Sequence, residues 1–353
     1  MHFFSTTMVF LGSMFSAVWI VVANSWQQTP TGFHIVGEGM SARAEITDFW
    51  AMVLNPSSVD RLTHTLIGAF ILGGFFVMSI TAWYILHRRH VEVSKQSFTI
   101  ALVVATLASL AALLSGHHQA NTVSETQPAK LAAFEGHFHS GPADLWLFGI
   151  PDEDQQRVHM GLAIPGGLSF LVHGDFDMPI TGLDAIPADA RPPVQIPFQS
   201  YHIMITLGMY FIGITLLAAF FRWRGTLFDK RWLLWIFVFS IIGPYSRNPA
   251  RRLAAEVGRK PCILYGLLRT SDALSKAVSA EEVLTSIILF SVIYLFLFAI
   301  WLYIMNEKIK HGPEDPLEAA TPGGGLLDTV GQRAGTGGAS LTDPHTDSGK
   351  EVR

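Results

Sequence analysis

Apolar positions in this chain fall in long unbroken runs, not in the short periodic stripes of a soluble core. Six runs are long enough to cover the roughly 20 residues a helix needs to cross a hydrocarbon core. They predict spans at about 3–23, 65–86, 97–115, 200–221, 232–258 and 283–305. Two polar connections, 25–63 and 116–198, separate them, and a tail from about 312 carries GGG and GTGG with scattered charges. Such a tail lacks the apolar surface to bury a core and is expected to be disordered. No internal repeat is visible. The predicted fold is all-α: a polytopic bundle of about six spans over residues 1–311, a large external loop over about 116–198, and a cytoplasmic tail at 312–353.

Composition agrees with this pattern. Half of the 353 residues are hydrophobic and 15% are charged, against about a quarter charged in soluble domains. The net charge of −4 and the lack of a dense basic cluster exclude a nucleic-acid partner. Cys262 is the single cysteine, which excludes a disulfide framework and a cysteine-based metal site.

Basic residues set the orientation. The loops HRRHVEVSK (88–96), RWRGTLFDKR (222–231) and NEKIKHG (306–312) are basic, whereas 116–198 holds ten acidic residues against Lys130, Arg157 and Arg191. The positive-inside rule places the short basic loops, and hence both termini, in the cytoplasm and the two large connections outside. A cleaved signal peptide competes for residues 1–23; against it, MHFF carries no Lys or Arg and the run continues into NSWQQ.

Few residues in such a chain carry chemistry. His64 opens the second span from outside, and Met204 lies just inside the outer end of the fourth, so the two share a depth. Imidazole and thioether are an axial pair for a low-spin electron-transfer heme, the sulfur raising the potential; taken singly, each is also an ordinary span residue. Lys130 and Glu135 lie five apart in QPAKLAAFEGHF (127–138). A cation and a carboxylate near a membrane surface could bind a quinol and take its proton, or belong to an amphipathic loop helix with solvated charges. His117, His118, His137 and His139 lack zinc-site spacing and read as loop histidines. The fifth run acquires Arg247, Arg251, Arg252 and Glu256. On a continuous helix from Trp232, Glu256 would lie about 36 Å along, at the outer end; the alternative is a helix that stops near Gly243–Pro244 before a wet external loop. Intramembrane ionisable residues point to function by default.

These segments together resemble subunit I of cytochrome bd-type quinol oxidases. GSMFSAVWIVVANSWQQTPTGF, RLTHTLIGAF, SITAWYILHRRH, QPAKLAAFEGHF, WLFGIPD, YHIM and AAEVGRKP occur in that family's order, covering residues 1 to about 310. The resemblance implies that His64 and Met204 are axial ligands of the low-spin heme b, that Lys130 and Glu135 are the quinol pair of the external Q-loop, and that Glu256 is the carboxylate ligand of a high-spin heme b. A heme d or third heme b, a second oxidase subunit, membrane quinol and a bacterial cytoplasmic membrane follow from the same resemblance.

Three departures stand out. The family carries helices before the segment matching 5–23, supplying a histidine ligand and acidic proton-path residues with no counterpart here. An apolar Gly-Trp stretch usually precedes the Glu256 motif, where this chain reads SRNPARRLA. Cys262 stands where Trp is usual, and His202 where some members have Arg. The expected function is therefore quinol oxidation at the outer face with electrons passed through a low-spin heme b toward oxygen-reducing hemes. A truncated, non-catalytic heme-binding remnant is the alternative. A transporter would show inverted repeats, and none is visible.

Overall fold

The computed structural model describes residues 2–37, 43–274 and 277–313. Among the described residues five helices are long and apolar enough to cross a membrane: α1 (His2–Gln28), α3 (Ser58–Leu86), α4 (Val91–Thr126), α7 (Gln195–Trp223) and α10 (Ala280–His311). Short helices join them: α2 (Phe49–Val53), α5 (Pro128–Glu135), α6 (Gly167–His173), α8 (Arg231–Ser240) and α9 (Ile242–Val257).

The run 232–258 is not one helix. It divides at Ile241 into α8 and α9, so a continuous 36 Å rise to Glu256 does not exist. Nor does the chain become a loop after Gly243–Pro244, because α9 continues to Val257 through Pro249. Other spans outrun their apolar stretches: α3 begins at Ser58 and α4 continues to Thr126. Polar helical turns thus extend past the hydrocarbon-length segments. The part of the tail from residue 314 lies outside the described residues.

Aromatic rings and small residues hold the bundle core together. Phe75 of α3 meets Phe211 of α7 at 4.8 Å between centroids, and Phe98 of α4 meets Phe237 of α8 at 5.1 Å edge to face. All four rings are buried. A Cβ at Gly74 would lie 2.9 Å from that of Ala105, so α3 and α4 approach through their smallest residues. The outward faces carry exposed Phe, Leu, Ile and Val, as lipid-facing helix surfaces do. None of the residues of α10 is buried. The unit containing the bundle ends at Val292, and a second begins at Ile293.

The connections form four two-stranded antiparallel pieces: β1 (Phe33–Val36) with β2 (Arg43–Ile46), β3 (Gly141–Pro142) with β6 (Pro179–Ile180), β4 (Leu145–Asp152) with β5 (Arg157–Ile164), and β7 (Cys262–Leu264) with β8 (Leu268–Arg269). The β4–β5 hairpin is tied to the start of α7, where Gln199 Nε2 donates to Gly149 O at 2.7 Å. A buried knot ties the end of α1 to the turn before α3: Asn55 Nδ2 donates to Ser25 Oγ at 2.9 Å, and Thr29 Oγ1 to Asn55 Oδ1 at 2.9 Å. This brings the end of α1 to the start of α3, and Gln127 Nε2, donating to Gln28 O, brings the start of α5 to the same place.

Candidate functional site

His64 occupies the second turn of α3 and is 4% exposed. Its Nδ1 lies 3.1 Å from Ser115 Oγ on α4, and its Nε2 lies 3.1 Å from Arg247 Nη2 on α9. A guanidinium has only N–H donors, so Nε2 accepts and Nδ1 carries the ring proton, donated to Ser115. This tautomer leaves a lone pair on Nε2, the form an iron ligand needs, with the other ring nitrogen oriented by a polar partner. Gly116 borders the ring: a Cβ there would be 3.9 Å from His64 Cε1.

Met204 is half-buried on α7. That helix runs antiparallel to α8 and α9, as three successive contacts show. Tyr210 Oη and Ser240 Oγ are 2.6 Å apart. A Cβ at Gly243 would meet Phe211 Cζ at 3.0 Å and Leu207 Cδ2 at 3.7 Å. One turn beyond Gly243 on α9 is Arg247, and one turn back from Leu207 on α7 are Ile203 and Met204. Met204 therefore shares its level with Arg247, which touches His64. The donor set at this level, an unprotonated imidazole nitrogen and a thioether on a second helix, is of the kind that binds a low-spin heme.

The pair on α5 is not solvated. Lys130 is 2% exposed and Glu135 1%. Pro128 opens this helix and Gly136, at φ +60°, closes it in the left-handed conformation. The Lys130 ammonium donates to Gln28 Oε1 and, at 2.5 Å, to Gln127 Oε1, both neutral acceptors. Burial holds its pKa well below the usual lysine range, reinforced by Arg61 and Arg259 and opposed by Glu256. No donor meets either oxygen of Glu135 in good hydrogen-bond geometry, and the Tyr201 hydroxyl is the polar group beside it. Burial raises the Glu135 pKa to about 8, against a smaller pull from the Tyr201 hydroxyl. Phe134 stacks on Tyr201 at 4.7 Å. The end of α9 closes over this helix, since a Cβ at Gly258 would lie 2.9 Å from Phe134 Cε1 and 3.1 Å from Lys130 Cγ.

Glu256 is half-exposed and tied at both oxygens. Asn24 Nδ2 donates to Oε1 at 2.8 Å, and the Arg259 guanidinium pairs with Oε2. Arg61 Nη1 donates to Asn24 Oδ1 at 2.9 Å, and Arg259 Nη1 to Gln27 Oε1 at 3.2 Å. Like His64 Nε2, which Arg247 meets, this carboxylate is already engaged by protein donors. The lower part of the site is joined through Gln28, which accepts from Lys130 and donates to Ala255 O at 3.3 Å.

The structure thus gathers His64, Lys130, Glu135 and Glu256 at one end of the bundle, with Met204 at the level of His64. It adds Asn24, Gln27, Gln28, Ser115, Gln127 and Tyr201, which sequence reasoning did not single out, and it puts Arg247, noted there as an ionisable residue of the fifth run, against His64. Asn24, Gln27 and Gln28 had a signal, as polar residues crowding the end of an apolar run. His202 presents both ring nitrogens to carbonyl oxygens, of Phe198 at 2.8 Å and Trp146 at 2.9 Å, and so clamps the β4 strand to α7. His137 Nε2 lies 3.1 Å from Ile180 O and His118 Nε2 3.2 Å from Asp60, both in structural contacts.

Comparison with known proteins gives a consistent set of relatives. The family model described as cytochrome bd terminal oxidase subunit I matches residues 1–313. The chain is 33% identical over 324 residues to cytochrome bd ubiquinol oxidase subunit 1 of Bacillus subtilis, covering 89% of this chain and 68% of that one. It is 28% identical over 379 residues to cytochrome bd-II ubiquinol oxidase subunit 1 of Escherichia coli, covering 88% and 73%. Its fold is similar to that of the bd oxidase from Geobacillus thermodenitrificans, with a TM-score of 0.76 and 28% identity over 86% of this chain and 68% of the other.

Proposed function

Because this chain belongs to the cytochrome bd terminal oxidase subunit I family, a component of terminal quinol oxidases, we propose that it oxidises quinol at the outer membrane face and feeds the electrons to a low-spin heme b. The observation that carries the reading is Glu135: a buried carboxyl beside the Tyr201 hydroxyl, its pKa pushed up to about 8, on the same short helix as the buried Lys130. A group of that pKa takes up and releases a proton near neutral pH. Lys130 donates a hydrogen bond to a quinol oxygen, and Glu135 accepts one of the two protons that leave as the quinol is oxidised.

When bound, the low-spin heme b supplies one-electron redox chemistry. His64 Nε2 and Met204 Sδ would hold its iron, and Ser115 fixes the His64 ring. Glu256 would hold a high-spin heme b, and a heme d or third heme b belongs to the same reading. Basic short loops orient the bundle with both termini cytoplasmic and the 116–198 Q-loop external. The membrane is the bacterial cytoplasmic membrane, and a second oxidase subunit completes the complex.

The test is the optical spectrum of the purified complex with and without His64→Ala. The variant is expected to lose the reduced low-spin b-type band, and a band that survives removes the assignment. Oxygen uptake by membranes holding this chain and its partner subunit separates the working oxidase from a non-catalytic remnant.

A further inference from the structure

The second half of the broken span carries more buried positive charge than the protein balances. Arg247 is 6% exposed, and its Nε is buried with no hydrogen-bond partner. Arg251 lies four residues on, hence on the same face of α9. The two address consecutive residues of α3: Arg247 Nη2 meets His64 Nε2 at 3.1 Å, and Arg251 Nη1 donates to Thr65 Oγ1 at 3.3 Å. Both acceptors are neutral. Gly68, one turn beyond His64, makes the room, since a Cβ there would lie 3.4 Å from Arg247 Nη1.

The carboxylates of α3, α5 and α9 have other neighbours, and those of α4, Glu92 and Glu125, are exposed at its two ends. The one carboxylate of α9, Glu256, is held by Asn24 and Arg259. The one of α3, Asp60, accepts from Thr122 Oγ1 at 2.7 Å and faces His118. Glu135 on α5 lies beside Tyr201, and α7 and α8 have none. Arg61 adds a third positive group that repels Arg251. Guanidinium charge at membrane depth is costly unless an anion meets it, and a guanidinium matches a carboxylate in two-point geometry.

We infer that Arg247 and Arg251 form a carboxylate-binding pair beside His64 that takes the propionate groups of the heme His64 holds. The inference rests on the proposed heme role of His64. Nε2 has a single lone pair, so it either accepts from Arg247 or binds an iron. Iron binding releases the Arg247 donors, and a heme brings two carboxylates on one edge to a site with two guanidiniums one helical turn apart. Positive charge beside the propionates favours the reduced heme, so the pair raises its midpoint potential.

Redox titration of the purified complex, followed in the low-spin b band, is the test. Arg247→Gln and Arg251→Gln are each expected to shift the reduction equilibrium toward the oxidised heme by on the order of tenfold, or about 59 mV for one electron. Arg247→Lys, which keeps the charge, should shift it less. Arg252→Gln, an exposed neighbour, supplies the reference. If Arg247→Gln does not assemble, Arg251→Gln carries the measurement. A midpoint in Arg251→Gln equal to that of Arg252→Gln overturns the pair. A low-spin band that persists in His64→Ala overturns the premise instead, so the two failures are distinct.

Discussion

The Lys130 ammonium donates to the side-chain carbonyl of Gln28, so the last residue of α1 holds the buried cation of α5. Gln28 also accepts from Gln127 Nε2 through its backbone carbonyl and donates to Ala255 O. It is the hub that connects α5 to the residue before Glu256. Gln28→Leu leaves the ammonium with Gln127 alone. A hydrogen bond to a charged group contributes about 1.5–3 kcal/mol, so kcat/KM for quinol is expected to fall roughly ten- to a hundredfold. Steady-state oxidation measured against quinol concentration checks this, with the low-spin heme band unchanged. Equal kcat/KM in wild type and variant would show that Gln28 does not position Lys130.

Glu135 gives the site a pH signature. Its pKa is raised from an ordinary value of 4.5 to about 8, so the folded protein keeps this proton across that window while the unfolded chain has lost it. Stability therefore falls as pH rises from about 4.5 to about 8, and levels off above. Glu135→Gln removes this slope, and thermal unfolding of the two proteins across the window reads the difference. As proton acceptor the carboxyl must be ionised, so quinol oxidation is expected to rise with pH through about 8. In Glu135→Gln turnover should drop on the order of a hundredfold and lose that rise.

Met204 and His64 have different freedom. The His64 ring is fixed by Ser115, whereas Met204 is half-buried on a helix without a polar partner. A thioether raises the potential of a heme relative to harder ligands. Met204→Leu is expected to retain heme through His64 but convert its spectrum from low-spin to high-spin. An unchanged low-spin spectrum would remove Met204 as a ligand.

How much of this was legible in the sequence differs by residue. His64, Met204, Lys130, Glu135 and Glu256 were visible because each sits in a distinctive segment, and the bundle because hydropathy reports length directly. The partners were not. Arg247 meets His64 across 183 positions and Gln28 meets Lys130 across 102, and no local pattern encodes contacts of that range. Burial of Lys130 and Glu135 was also hidden, since a five-residue spacing says nothing of what closes over α5. The helical turns Ser58–His64 and Gly116–Thr126 were missed because polar helix beyond the hydrocarbon carries no hydropathy signal. The break at Ile241 had its cue in Gly243, Pro244 and Pro249, but whether helix resumed depended on the packing of Arg247 against α3.

Gly136 tests whether the end of α5 sets the position of Glu135. It adopts φ +60° immediately after that residue, where a side chain is strained. A Cβ there would also meet Val158 Cγ2 at 2.7 Å and Phe198 Cδ2 at 3.3 Å, so the β4–β5 hairpin and α7 both press on this position. The left-handed conformation alone costs a non-glycine residue about 1–3 kcal/mol, and the contact with Val158 adds to it. Gly136→Ala is expected to lower the thermal midpoint of the complex and to reduce quinol oxidation, because the strain is relieved by unwinding the turn that carries Glu135. Val158→Ala in the same chain removes the nearest clash and leaves the backbone strain, so it should restore part of the midpoint. If Gly136→Ala lowers the midpoint with turnover intact, the cap stabilises the loop without positioning the carboxyl.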